Sequence, residues 1–81
     1  MYFNENNEQE NIVYPNPFTE STSIQVEQSL IGETMFIYNQ LGVLVRTLLI
    51  QNEQTTIHKE QLSPGFYYIR VGNYQGELIL E

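Results

Sequence analysis

No cysteine occurs anywhere in the 81 residues, and tryptophan and aspartate are missing as well. Without cysteine there is no thiolate nucleophile, no thiolate metal site and no disulfide framework. Positive charge is nearly absent too. Arg46, Lys59 and Arg70 face ten glutamates, a formal net charge of −7. Nucleic acid binding wants a basic patch and an anionic membrane surface a basic segment, so this balance argues strongly against the first and disfavours the second. No apolar run approaches the ~18 residues of a membrane span, and no signal peptide is visible. There is one histidine, His58. A nucleophilic triad needs a serine or cysteine beside a histidine base and an acid, and zinc needs three or four ligands. Paired glutamates serve glycoside hydrolysis in other folds, but a domain this small offers little room for a deep cleft. Gly32, Gly42, Gly65, Gly72 and Gly76 stand singly and make no phosphate-cradling loop. The sequence therefore assigns no catalytic, cofactor-binding or metal-binding residue and reads as a non-enzyme.

What remains is 41% apolar, with six tyrosines and four phenylalanines. That suffices for one domain with one small core. Residues 1–11 are polar and rich in Asn and Glu, and read as a linker or disordered tail. Glu5, Glu8 and Glu10 there lack the Asp/Gly loop of the known calcium motif. From Ile12 onward the signal is β. Val13-Tyr14-Pro15-Asn16-Pro17-Phe18 is stiff, because each proline fixes φ and removes a donor, and Tyr14 and Asn16 are each pushed to extended geometry. It predicts an edge strand that stops, bends and feeds the next strand, with Tyr14 and Phe18 as anchors.

Further strands are predicted over 22–27, 33–38, 43–50, 55–59, 66–71 and 77–81, from period-2 alternation between turn signals. Asn39-Gln40-Leu41-Gly42 suits a type I turn with a glycine bulge, and Ser63-Pro64-Gly65 a type II turn. Gly72 to Gly76 predicts a glycine-bounded turn. Seven short strands about ten residues apart point to an all-β, immunoglobulin-like or fibronectin-like antiparallel sandwich, though without the Cys…Trp…Cys mark of true immunoglobulin domains. Its expected core is Ile24, Val26, Met35, Ile37, Val45, Ile57, Tyr67, Ile69 and Val71. The same alternation turns Phe36, Tyr38, Phe66 and Tyr68 outward. If their strands are neighbours, they form an apolar patch suited to docking or self-association. An edge strand such as the last one could also pair between molecules into a homodimer.

Four pieces in order carry a family resemblance. They are Ile12-Val13-Tyr14-Pro15-Asn16-Pro17-Phe18, then Ile24-x-Val26, then Ile37-Tyr38-Asn39-x-x-Gly42, then Leu62-x-x-Gly65-x-Tyr67-x-Ile69-x-Val71. Over about residues 12–80 the chain resembles the C-terminal sorting domain (type A) of the bacterial type IX, or Por, secretion system. The resemblance implies a cargo protein fused on the N-terminal side and a precursor that enters the periplasm by an ordinary signal. It implies recognition by the outer-membrane secretion machinery. It also implies cleavage by a sortase-like protease, with cargo released or joined to surface lipopolysaccharide. By position the family's motif residues are Pro15, Asn16, Pro17, Gly42, Gly65 and Tyr67. Glu77 and Glu81 stand where the family commonly carries lysines. Other readings are an accessory carbohydrate-binding or adhesive module of a secreted protein, or a spacer.

Overall fold

Short alternating segments bounded by turn residues cannot bury themselves singly, so they pair and then stack. In a computed structural model, which describes residues 12–81, seven strands do this. They are β1 (Ile12–Tyr14), β2 (Ser21–Gln25), β3 (Thr34–Asn39), β4 (Leu44–Leu49), β5 (Gln54–His58), β6 (Gly65–Val71) and β7 (Tyr74–Leu80). A single 3-10 turn, Gln28–Leu30, is the only helical piece among the described residues. The expected tail over 1–11 and its glutamates lie outside the described residues.

One sheet has the order β1-β2-β5, the other β4-β3-β6-β7. Every strand pair is antiparallel. The first, second and fifth strands thus face the third, fourth, sixth and seventh, which is the expected immunoglobulin-like sandwich. Between the sheets lie Phe18, Ile24, Val26, Met35, Ile37, Ile50, Ile57, Tyr67, Ile69, Val71, Leu78 and Leu80.

Eight of the nine expected core residues are in that cluster; Val45 is not, and it is exposed. The parity of β4 explains this. Leu48 pairs with Met35 and Arg46 with Ile37, so Arg46 and Leu48 share the inward side of β3. The register then slips, Tyr38 pairs with Leu44, and Val45 becomes the extra residue of a β-bulge. Ile50, one residue beyond β4, is fully buried.

Two turns also differ from expectation. The β5–β6 connection turns at Lys59–Leu62, where the Leu62 amide donates to the Lys59 carbonyl and Glu60 has φ +46°. Gly65 is already the first residue of β6, at φ +149°, rather than the third position of a type II turn. The β6–β7 hairpin is tighter than predicted. Val71 pairs with Tyr74, leaving a two-residue loop of Gly72 and Asn73 with Gly72 at φ +56°, as a II′ turn requires. The last strand therefore starts at Tyr74. Gly76 is inside it, and a Cβ there would meet the Tyr74 hydroxyl at 2.5 Å. The missing side chain makes room for the tyrosine ring.

Candidate functional site

The Pro-Asn-Pro segment carries the chain from one sheet to the other. β1 pairs with β2 and ends at Tyr14; the Tyr14–Pro15 and Asn16–Pro17 bonds are both cis. Pro15 leaves its carbonyl to the buried Thr22 hydroxyl at 2.6 Å. Asn16 then meets the far edge of β7. Its Nδ2 donates to the Glu77 carbonyl at 3.0 Å, and its Oδ1 accepts from the Ile79 amide at 2.9 Å. The carboxamide thus acts as one peptide unit of a neighbouring strand. Two residues on, main chain takes over. The Phe18 amide donates to the Ile79 carbonyl at 2.9 Å, and the Glu81 amide donates to the Phe18 carbonyl at 2.8 Å, in a parallel bridge of Phe18 with Leu80. Over Glu77–Glu81 the edge of the last strand is occupied from within. The homodimer expected through that strand has no open edge there.

Of the two expected anchors, Phe18 is buried and Tyr14 is 76% exposed. Asn16 is itself solvent-exposed, so each of its bonds is worth about 0.5–1.5 kcal/mol. Asn16→Ala is expected to lower unfolding free energy by about 1–2 kcal/mol. It should also accelerate hydrogen exchange at the Ile79 amide beyond that global loss. Exchange at Ile79 that follows the global change alone would contradict the edge seal.

The other motif residues gather at the same end. Asn39 pairs with Tyr67, and Tyr67 with Leu78; Gly65 pairs with Leu80, the bridge partner of Phe18. The Asn39 side chain accepts from the Leu41 and Val43 amides, and Gly42, at φ +85°, donates to the Asn39 carbonyl. That loop closes as predicted. Tyr67 is a tyrosine corner: its ring lies in the core and its hydroxyl donates to the Ser63 carbonyl four residues upstream. Ser63 to Gly65 is thereby held as an extended lead into β6. The motif residues thus shape the fold, and what they shape is one pole of the sandwich.

A groove of about 670 Å³ opens at this pole, between the β3–β4 turn and the β5–β6 connection. Leu41, Val45, Pro64 and Phe66 supply its apolar wall. Arg46 crosses its floor from the inward side of β4. It donates to the carbonyls of His58 and Lys59 and pairs with Glu60 at 3.3 Å. The guanidinium is thereby spent on tying the two sheets together.

The outer face of the four-stranded sheet holds the aromatic patch. β3 and β6 are direct neighbours, with Tyr38 opposite Tyr68 and Phe36 opposite Arg70. Phe66 lies one step along β6, opposite Ile79 of β7. Phe66 and Tyr68 are 48% and 43% exposed, Phe36 and Tyr38 half-buried. Next to the tyrosine pair a cleft of about 290 Å³ is bordered by Arg70, Gln75 and Gly76. Glu77, where the family commonly has lysine, sits opposite Tyr68, and its carbonyl is taken by Asn16. His58 is exposed at the end of β5, and among the described residues no group of three His, Cys, Asp or Glu could hold a metal.

The tyrosine corner, the asparagine bridge and the II′ hairpin were not found by sequence reasoning. Gly72-Asn73 was an available signal for the hairpin. The first two are side-chain bonds to main chain and leave no periodicity to read.

Residues 12–80 match the family model described as "Secretion system C-terminal sorting domain". Among curated proteins the chain is similar to Beta-agarase A of Zobellia galactanivorans, 30% identical over 69 residues. The match covers 85% of this chain and 13% of that protein, so the chain spans about an eighth of its relative's length. No solved structure matches it.

Proposed function

The chain belongs to the C-terminal sorting domains of the type IX secretion system, and from that membership we propose how it is read. It is a secretion sorting signal that directs export to the cell surface or medium. Outer-membrane machinery recognises the folded sandwich after transit through the periplasm. A sortase-like protease then cuts ahead of Ile12, separating cargo from signal. The domain performs no chemistry of its own.

One observation carries the reading. The motif segments around residues 15–18 and 63–67 meet β7 at one pole, and the segment 39–42 reaches the same pole through the pairing of Asn39 with Tyr67. The described chain enters at the other, where Ile12 pairs with Gln25 and the Val26 amide donates to Glu53. Cargo attached ahead of Ile12 leaves the motif pole and the aromatic face unobstructed. The test is a periplasmic reporter carrying this chain at its C-terminus in a type IX-competent host. The reporter is expected outside the cell without the domain. Retention in the periplasm would overturn the sorting role, and export with the domain still attached would overturn the cleavage step alone.

A second reading rests on the opposed Tyr38 and Tyr68 rings beside Arg70 and Gln75. Flat aromatic faces beside polar groups also suit sugar rings. Glycan titration that broadens or shifts the tyrosine resonances would support a carbohydrate-binding module.

A further inference from the structure

Unpaired sheet edges invite another strand, and proteins guard them with charge, proline, brevity or a covering segment. The edges of this sandwich differ in their guards. β1 has three residues and runs straight into Pro15 and Pro17. The edge of β7 is filled by Asn16 and Phe18 and carries Glu77 and Glu81. The end of β5 is tied by Arg46 to β4.

β4 is a longer edge than β1 or β5 and lacks a covering segment among the described residues. It has six residues and no proline, and its one charge, Arg46, is turned across to Glu60 and the β5 end. Its bulge lies at one end, between the pairings of Ile37 and Tyr38, so the stretch from Arg46 onward keeps a regular register. The amide and carbonyl of Ile50 both bond toward the β3 side, to Glu33 and Gly32. Ladder alternation then turns the main-chain groups of Thr47 and Leu49 outward, away from β3. Around them Leu41, Val43, Leu44, Val45 and Leu49 are all exposed, Leu49 by 56%.

We infer that the β4 edge joins two copies of this chain in a closed twofold dimer. Charge selects the occupant. From Leu41 to Gln51 there is no carboxylate, although the chain carries ten. A molecule of net charge −7 can bring this edge against its own copy without opposing acids. The last strand is covered over Glu77–Glu81 and so does not receive β4 there. Pairing of β4 with its own copy about a twofold closes on itself, which sets it apart from a head-to-tail contact. Antiparallel pairing about a twofold lets Thr47 and Leu49 of each copy donate and accept across the axis, and the contact closes at two. The four-stranded sheets merge into one continuous sheet, with the aromatic faces running on from each other.

The test uses the 81-residue chain itself. Sedimentation from micromolar to near-millimolar concentration is expected to pass from monomer to dimer and stop there. Over the same range the Thr47 and Leu49 amides should gain at least about tenfold protection from hydrogen exchange, a difference of about 1.4 kcal/mol. Leu49→Lys places charge on the edge, and Thr47→Pro removes an outward donor that the β3–β4 ladder does not use; both should sediment as folded monomers. The wild-type exchange experiment decides even if a variant fails to fold. Amides that exchange as freely at high as at low concentration would leave this edge to a strand from another protein and overturn the proposal. So would growth beyond dimers, or dimers that persist in both variants. None of these readouts involves secretion, so their failure and that of the sorting role are separable.

Discussion

Phe18→Ala is expected to remove about 3–5 kcal/mol of stability, the cost of truncating a buried aromatic. Phe18 is 2% exposed. Its ring fills the gap where the chain passes between sheets, and its main chain holds Ile79 and Glu81. Domains of this size are stable by about 5–15 kcal/mol in total, so the variant should be largely unfolded at modest urea concentration. Tyr14 supplies the control. It flanks the same prolines but is exposed, so Tyr14→Ala should change stability by less than about 0.5 kcal/mol. Urea unfolding of both variants checks the pair. Equal costs would mean that the motif acts through local stiffness and not through this one buried ring.

The second large effect concerns export. Replacing both Phe36 and Tyr68 by Ser should leave the isolated chain folded and reduce reporter secretion to background. The two rings lie on the outer sheet face, diagonal across the β3–β6 pair, outside the core cluster. Cross-strand pairs contribute roughly 0.2–1 kcal/mol each, so the loss to folding is small beside that at Phe18. An apolar face of this kind is where a receptor gains by excluding water. Circular dichroism and a urea midpoint would establish that the double variant folds, and secretion would then be read independently. Normal export of the folded variant ends the docking role of this face. A variant that is exported normally but loses affinity for glycans would favour the carbohydrate reading instead.

Local rules carried the strands well. In Phe66–Val71 strict alternation sends Tyr67, Ile69 and Val71 inward and the other side chains outward, and the structure keeps that order. Alternation failed at Val45 because a bulge changes the phase without any glycine or proline inside the strand to announce it. An arginine then occupies an inward position that patterning alone would never give it. At Ser63-Pro64-Gly65 the turn chemistry was present but unused, since the Tyr67 hydroxyl holds Ser63 and moves the turn upstream. The motif was visible as a string of residues, but the work of Asn16 was not. Its partners are 61 and 63 residues away, and a side chain that imitates a peptide group has no sequence signature.

That distance has a consequence for the life of the chain. Asn16 and Phe18 have nothing to hold until Glu77 to Glu81 arrive, and joining them closes a loop of almost the whole domain, a slow and costly step. While the ribosome still covers those residues, the sandwich stays unfinished, with its long-range contacts unmade. A product truncated before Leu78 never gains the partners of Asn16 and Phe18. The first motif segment and the closing strand thus depend on each other, and a chain without Glu77 to Glu81 makes neither the asparagine bridge nor the Phe18 bridge.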